Sequence, residues 1–225
     1  MKRNLIVIAA VALLTIPVLS SAEPFKPGAY FSVFLGGGVL QNTDATTTDI
    51  GVQDIRDRIE FDPGINVGVT GGYDLGLFRL EGELSYKQGE ISSVRDNLGN
   101  TFIRTDGSLG ALSMLFNGFF NLRNDSPVTP YLGGGIGFAT LHLSDTDGIQ
   151  STTGTKFRLY NGDSDTVLAY QLGAGMAISL SRLLSVDLGY RYFATDVARF
   201  ETGGNKETSL KYQSHNGTVG LRVKF

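Results

Sequence analysis

The sequence predicts an all-β protein, an eight-stranded antiparallel up-and-down β-barrel that crosses a membrane with its strands. Three observations lead there. Apolar and polar residues alternate with a period of two in eight separate segments. The connections between those segments are alternately short and long. Past residue 22, no run approaches the roughly 20 apolar residues that a membrane-crossing helix needs. A closed barrel is then the remaining way to satisfy every backbone polar group inside a bilayer.

The chain opens Met1-Lys2-Arg3-Asn4, runs apolar from Leu5 to Leu19, and ends small with Ser20-Ser21-Ala22 before Glu23. A basic start, a short apolar stretch and a small-residue cleavage site define a secretory signal peptide. Residues 1–22 are therefore expected to be removed after Ala22, leaving a single barrel domain over 23–225. That mature part has 17 basic and 22 acidic side chains, a net charge of −5 with histidine neutral. This balance argues against a nucleic-acid partner. With no cysteine in the chain, a disulfide framework, a thiolate metal site and a lipid-anchoring cysteine are all excluded. Glycine is abundant, at 30 of 225 residues, and falls inside apolar runs such as 34–40 and 131–138. Glycine within a strand marks tight curvature or close backbone approach, and a small closed barrel needs both.

The strands follow in order. The first is 30–40. In the second, 61–73, Ile65, Val67, Val69 and Tyr73 alternate with Asp62, Asn66 and Thr70. In the third, 78–87, Phe78, Leu80, Leu84 and Tyr86 alternate with Arg79, Glu81, Glu83, Ser85 and Lys87. Four charges on one face cannot point into lipid, so that face is turned to a polar interior. The fourth, 111–121, alternates less cleanly, because Leu115 and Phe119 fall on the inward side. The fifth is 131–138, the sixth 168–179, the seventh 186–193 and the eighth 218–225. Eight is an even count, as bacterial single-chain barrels require.

Three connections are short (74–77, 123–129 and 181–184), and four are long and polar (41–60, 88–107, 144–165 and 194–209). Outer-membrane barrels have short periplasmic turns and long extracellular loops, so both termini are expected in the periplasm. Stretch 44–49, Asp-Ala-Thr-Thr-Thr-Asp, is expected to be a flexible surface loop. Tyr30, Phe31, Tyr73, Phe78, Tyr86, Tyr192 and Phe225 gather at strand ends, where interfacial aromatic girdles sit.

The inward charges are the first candidates for a functional role: Arg79, Glu81, Glu83, Lys87, Asp187, Arg191, Arg222 and Lys224. An eight-stranded barrel is just wide enough for side chains to fill. Charges buried there must be paired and hydrogen-bonded. A packed network is the expected arrangement, with a narrow, gated ion path through the same charges as the alternative. His142 and Ser144, at the long-loop end of the fifth strand, could pair as base and nucleophile if a carboxylate oriented the histidine. His-x-Ser alone is a weak signal, with Asp145 and Asp147 expected in a loop, and His215 reads as a solvated strand-end residue. The loop acids Asp44, Asp49, Asp54, Asp57, Asp145, Asp147, Asp163 and Asp165 lack the spacing of a calcium loop. No catalytic residue, metal site or cofactor is expected.

Segments 61–73 (FDPGINVGVTGGY), 129–138 (TPYLGGGIGF), 169–180 (AYQLGAGMAISL), 186–193 (VDLGYRYF) and 218–225 (TVGLRVKF) resemble the small OmpA-type outer-membrane barrels, including OmpX-like and opacity or surface-antigen proteins. The resemblance covers the whole mature chain. It implies an outer membrane of a Gram-negative bacterium, with outer-membrane lipids and lipopolysaccharide as surroundings. It also implies recognition of the closing run, with Gly220, Val223 and Phe225, by the barrel-assembly machinery. Such barrels serve many roles. The expected one here is structural or surface-interaction, adhesin- or antigen-like, with an extracellular ligand reached through the loops. A small porin is the alternative, and a lipid A-modifying enzyme a more distant one.

Overall fold

The computed structural model describes residues 27–49, 55–97, 99–123, 126–201 and 206–225. The expected signal peptide lies outside the described residues, as does Asp54. Fifteen strands are formed among the described residues.

Eight of them make the wall: β1 (Gly28–Leu40), β4 (Gly64–Asp74), β5 (Phe78–Asp96), β7 (Ser108–Asn121), β8 (Val128–Leu143), β11 (Asp163–Ser179), β12 (Leu184–Thr195) and β15 (Gln213–Lys224). Each is antiparallel to the next in that order. The last pairs with the first from Tyr30↔Lys224 to Leu40↔Ser214, which closes the ring. All eight expected strands are present, and most are longer than the alternation alone marks.

The lipid-facing residues are the expected ones. Leu35 is 67% exposed, Met114 69% and Phe138 62%. On β1 this band runs from Phe31 to Val39, nine residues that rise roughly 23 Å at the usual tilt. That is about the height of an outer-membrane apolar band. Of the aromatics placed in a girdle, Tyr30 is different. It is 3% exposed and points inward, where its hydroxyl donates to Glu81 Oε2 at 2.6 Å.

The second strand starts at Gly64 rather than at Phe61. Pro63 has no N–H for a ladder, and the Asp62 amide bonds instead to the Glu90 carbonyl at 2.9 Å. Phe61 instead closes a separate strand, β3 (Ile55–Phe61). Stretch 44–49, expected as a flexible loop, is a strand as well, β2 (Thr43–Asp49).

The other long connections also hold strands: β6 (Thr101–Ile103), β9 (Thr146–Gln150), β10 (Lys156–Tyr160), β13 (Ala198–Glu201) and β14 (Lys206–Leu210). With the upper part of β5 they form one sheet, ordered β13-β14-β2-β3-β5-β6-β9-β10. The long connections thus carry the wall upward as a folded crown.

In the crown the side-chain alternation inverts. Within the band, apolar side chains point out and polar ones in; above it, Ala45, Ile59, Val94, Leu210, Ala198 and Phe200 point in and are buried, while Asp44, Arg58, Arg95, Lys211 and Arg199 point out. The reason is solvent. Water surrounds the crown, so the hydrophobic effect draws apolar groups inward there, as in a soluble protein. Where β11 runs beside β13, side chains replace part of the ladder. The Arg199 and Glu201 amides donate to the carboxylates of Asp165 and Asp163 at 2.9 and 2.7 Å.

Barrel closure depends on glycines of β8. A methyl group on Gly135 would stand 1.9 Å from Asn117 Oδ1 and 2.5 Å from the Phe116 carbonyl. Gly135→Ala must therefore displace a side chain or the wall, at about 1–3 kcal/mol. A lowered urea midpoint for the variant folded into lipid vesicles is the expected result. An unchanged midpoint would show that β8 can move aside.

Candidate functional site

The barrel interior has two storeys. The lower one, nearer the short turns, holds the charges singled out from sequence. Arg79, Glu81, Glu83 and Lys87 line β5, Asp187 and Arg191 line β12, and Arg222 and Lys224 line β15; all are buried. β5 presents alternate residues inward, which stacks its four charges along the axis.

Glu83 is the centre of this network. It is ion-paired with Arg191, and it accepts hydrogen bonds from Gln171 Nε2 at 2.8 Å, Asn117 Nδ2 at 3.2 Å and Ser85 Oγ at 2.8 Å. Lys87 Nζ lies 4.0 Å from the same carboxylate and donates to Ser85 and Ser113. Lower down, Asp187 accepts from Tyr131 and from Arg222, both at 2.6 Å. Arg79 links the two levels, with Nε 3.6 Å from Glu81 and Nη1 4.0 Å from Asp187. Its guanidinium also lies over the rings of both Phe119 and Tyr131, 4.7 and 4.4 Å from their centroids. Aromatic faces of this kind stabilise a desolvated cation. Seven of the eight thus form a packed and cross-linked set. Lys224 sits at the short-turn end, beyond the main cluster.

The upper storey was not expected. Above Lys87, whose Nζ lies 4.3 Å over the Phe193 ring, the interior turns apolar. Leu40, Ile91, Leu109, Leu141, Phe193 and Tyr212 cross the barrel as a septum, each at most 4% exposed. It merges upward into the crown core of Ala45, Ile59, Val94, Phe200 and Leu210. The only sequence trace of it was the inward phase of Leu115 and the irregular alternation of β7.

Within the crown, Asp57 is half-buried and accepts from the Tyr160 hydroxyl at 2.7 Å. Burial raises its carboxyl pKa above the usual carboxylate range, with the Tyr160 bond opposing and nearby Asp96 adding to the rise. The same burial holds the Tyr160 phenol well above its ordinary value. An acid whose pKa is higher folded than unfolded favours the folded state at low pH, and that contribution is lost as pH rises through the raised value. Asp57→Asn keeps an acceptor for Tyr160 and cannot ionise. Its stability relative to the native protein should therefore increase from pH 4 to pH 7. A difference that is flat across this range in urea titrations would count against a buried, titrating Asp57.

His142 and Ser144 do not come together. His142 Nδ1 lies 2.8 Å from Ser164 Oγ, on the outward face, while Ser144 Oγ accepts from the Ser108 amide at 2.7 Å. Asp145 lies between strands, whereas Asp147 belongs to β9 and pairs with Lys156 and Arg158. His215 is held by Tyr190 and Gln41, both at 2.6 Å. Among the described residues no set of three or more histidine, aspartate or glutamate side chains is placed to hold a metal ion.

A closed eight-strand ring with an apolar outer band and a polar lower interior defines an outer-membrane barrel. The chain belongs to the outer membrane protein beta-barrel domain family, which it matches over residues 6–225. It is similar to a Rickettsia bellii (strain RML369-C) protein named "Putative adhesin", 27% identical over 241 residues and covering 99% of each chain. A counterpart from Rickettsia prowazekii (strain Madrid E), also named as such, is 23% identical over 231 residues, again 99% of each. Among solved structures, the outer membrane protein OprG from Pseudomonas aeruginosa superposes with a TM-score of 0.58 at 15% identity, covering 88% of this chain and 96% of that one. Neisserial surface protein A gives 0.50 at 17%, covering 89% and 99%. These two establish the fold alone.

Proposed function

We propose that this barrel is a surface-interaction protein, an adhesin-like scaffold that presents its crown outside the cell. The observation that carries this reading is the crown itself. Four long connections fold into one sheet over a shared apolar core instead of remaining loops. Such a body holds its outward side chains in fixed positions, so a ligand need not order them, and that lowers the cost of binding. The naming of the Rickettsia relatives agrees with it. On this reading the lumen charges are structural and the protein is not an enzyme.

The accompanying topology puts both termini in the periplasm, with residues 1–22 removed after Ala22. Outer-membrane lipids and lipopolysaccharide surround the band, and an extracellular ligand meets the crown. The closing Gly220, Val223 and Phe225 serve recognition by the barrel-assembly machinery. In β15, Val223 faces outward and Gly220 inward, and Phe225, just past its end, is exposed, so a machine reading the lipid-facing edge meets Val223 and Phe225 directly.

Beads coated with protein in neutral lipid discs should be retained on cell monolayers more than beads with empty discs, and an antibody fragment against the crown should abolish the difference. Equal retention of both bead types would overturn the reading. Epitopes placed at 151–155 and at 181–183 test the topology, since only the first should be reached by antibody on intact cells.

A further inference from the structure

The crown is acidic overall. The four long segments 41–60, 88–107, 144–165 and 194–209 hold 15 acidic and 8 basic residues, a net charge of −7. Against that background, one island has the opposite sign. Arg56 and Arg58 are two apart on β3, so they share its outward face, and Arg95 of β5 stands directly opposite Arg58. All three are exposed. Like charges directly opposed across a ladder destabilise a sheet. Elsewhere on the crown Lys156 is neutralised by Asp106 and Asp147, Arg158 by Asp145 and Asp147, and Arg199 by Glu207, while Arg104 and Lys211 are exposed single cations outside the island. Among the described residues, no carboxylate forms an ion pair with Arg56, Arg58 or Arg95. Asp44, across from Arg58 on β2, is not within pairing distance, and Glu60 accepts from Ser93 Oγ at 3.0 Å.

We infer that Arg56, Arg58 and Arg95 form a receptor site for the sulfate groups of an anionic glycan carried by another surface. The inference rests on the surface-interaction reading above. Three features select this partner. First, the guanidinium fork matches a planar or tetrahedral oxyanion with two parallel bonds, and the surrounding outward residues Thr46, Thr48, Ser93 and Thr101 supply hydroxyls suited to sugar. Second, β3 lies between β2 and β5, and upper β5 lies between β3 and β6, so neither strand of the island offers a free edge to an added peptide strand. Third, Arg95 lies nine residues beyond Tyr86, the last lipid-facing apolar side chain of β5, which lifts it roughly 20 Å above the apolar band at the usual tilt. Headgroup phosphates at the edge of the apolar band are out of reach at that height. The acidic surroundings repel anions from the rest of the crown, which confines a sulfated chain to the island.

The test uses the full chain in phosphatidylcholine discs with three probes: a heparin octasaccharide, its desulfated counterpart and a decamer of glutamate. The sulfated probe should bind, more weakly as salt rises, and Arg58→Gln with Arg95→Gln should weaken it ~10-fold or more. Arg58→Lys with Arg95→Lys should give intermediate affinity, because charge remains and the fork does not. Lys211→Gln, an exposed cation elsewhere on the crown, should change nothing. The unfolding midpoint of the double glutamine variant should hold or rise, since a repulsion is removed. Equal affinity in native and glutamine variants overturns the inference. So does arginine-dependent binding of the glutamate decamer, which would indicate an acidic protein segment instead. If coated beads adhere to cells while the sulfated probe fails to bind, this inference falls and the surface-interaction reading stands; beads that do not adhere sink that reading too.

Discussion

Glu83→Ala is expected to cost about 3–5 kcal/mol of barrel stability, because it strands Arg191 and Lys87 as buried cations without their shared partner. Three further donors, Gln171, Asn117 and Ser85, lose their acceptor in the same step. Urea unfolding from lipid vesicles measures the loss. Glu83→Gln keeps two of the hydrogen-bonding roles and should fall between. Combining Glu83→Gln with Arg191→Gln should recover part of the stability, since both charges leave together and neither is left unpaired. A loss below about 1 kcal/mol for the alanine variant would mean that the lower storey is hydrated enough to screen its own charges.

The second large effect concerns the septum. Phe193 is fully buried, in edge contact with Tyr212 at 5.7 Å between ring centroids, and Phe193→Ala should cost about 3–5 kcal/mol through lost contacts and the remaining cavity. The functional consequence is separate. A dry apolar constriction stops ions by excluding the water they travel with. The native protein in planar bilayers should therefore show no discrete conductance steps. A triple variant, Leu109→Ser, Leu141→Ser and Phe193→Ser, should admit water between the charged storey and the crown and produce such steps. Steps in the native protein that vanish on neutralising Glu83 or Arg191 would restore the porin reading.

The wall was legible because lipid imposes a simple pattern. Apolar out and polar in, repeated over about ten residues, marks β4, β5, β11 and β15 directly, and the charged face of β5 names half of the eight lumen charges. What the alternation could not show is which charge meets which. Register between distant strands decides that Arg191 meets Glu83 and Arg222 meets Asp187. The crown was missed for a different reason. Its strands are short, they carry polar runs such as Thr46 to Thr48, and their phase is opposite to that of the wall. Judged against an apolar-out template, Arg58-Ile59-Glu60 and Arg199-Phe200-Glu201 look like loop. Judged against the pattern of a water-soluble sheet, the same triplets are strands with one buried residue each. His142 and Ser144 were only a weak pairing in sequence, and strand pairing sets His142 beside Ser164 instead.

The inversion of phase at the top of the wall also constrains how this surface can change over generations. Along β2, β3 and β13, one residue in two is turned toward the shared core and its neighbours face whatever the cell meets. Substitutions that alter the exposed face without unseating the core are confined to alternate positions: 44, 46 and 48 on β2, 56, 58 and 60 on β3, 199 and 201 on β13. A protein under pressure to vary its appearance would drift in a period-two rhythm through segments that otherwise look free to diverge, with Ala45, Ile59 and Phe200 as the fixed beats.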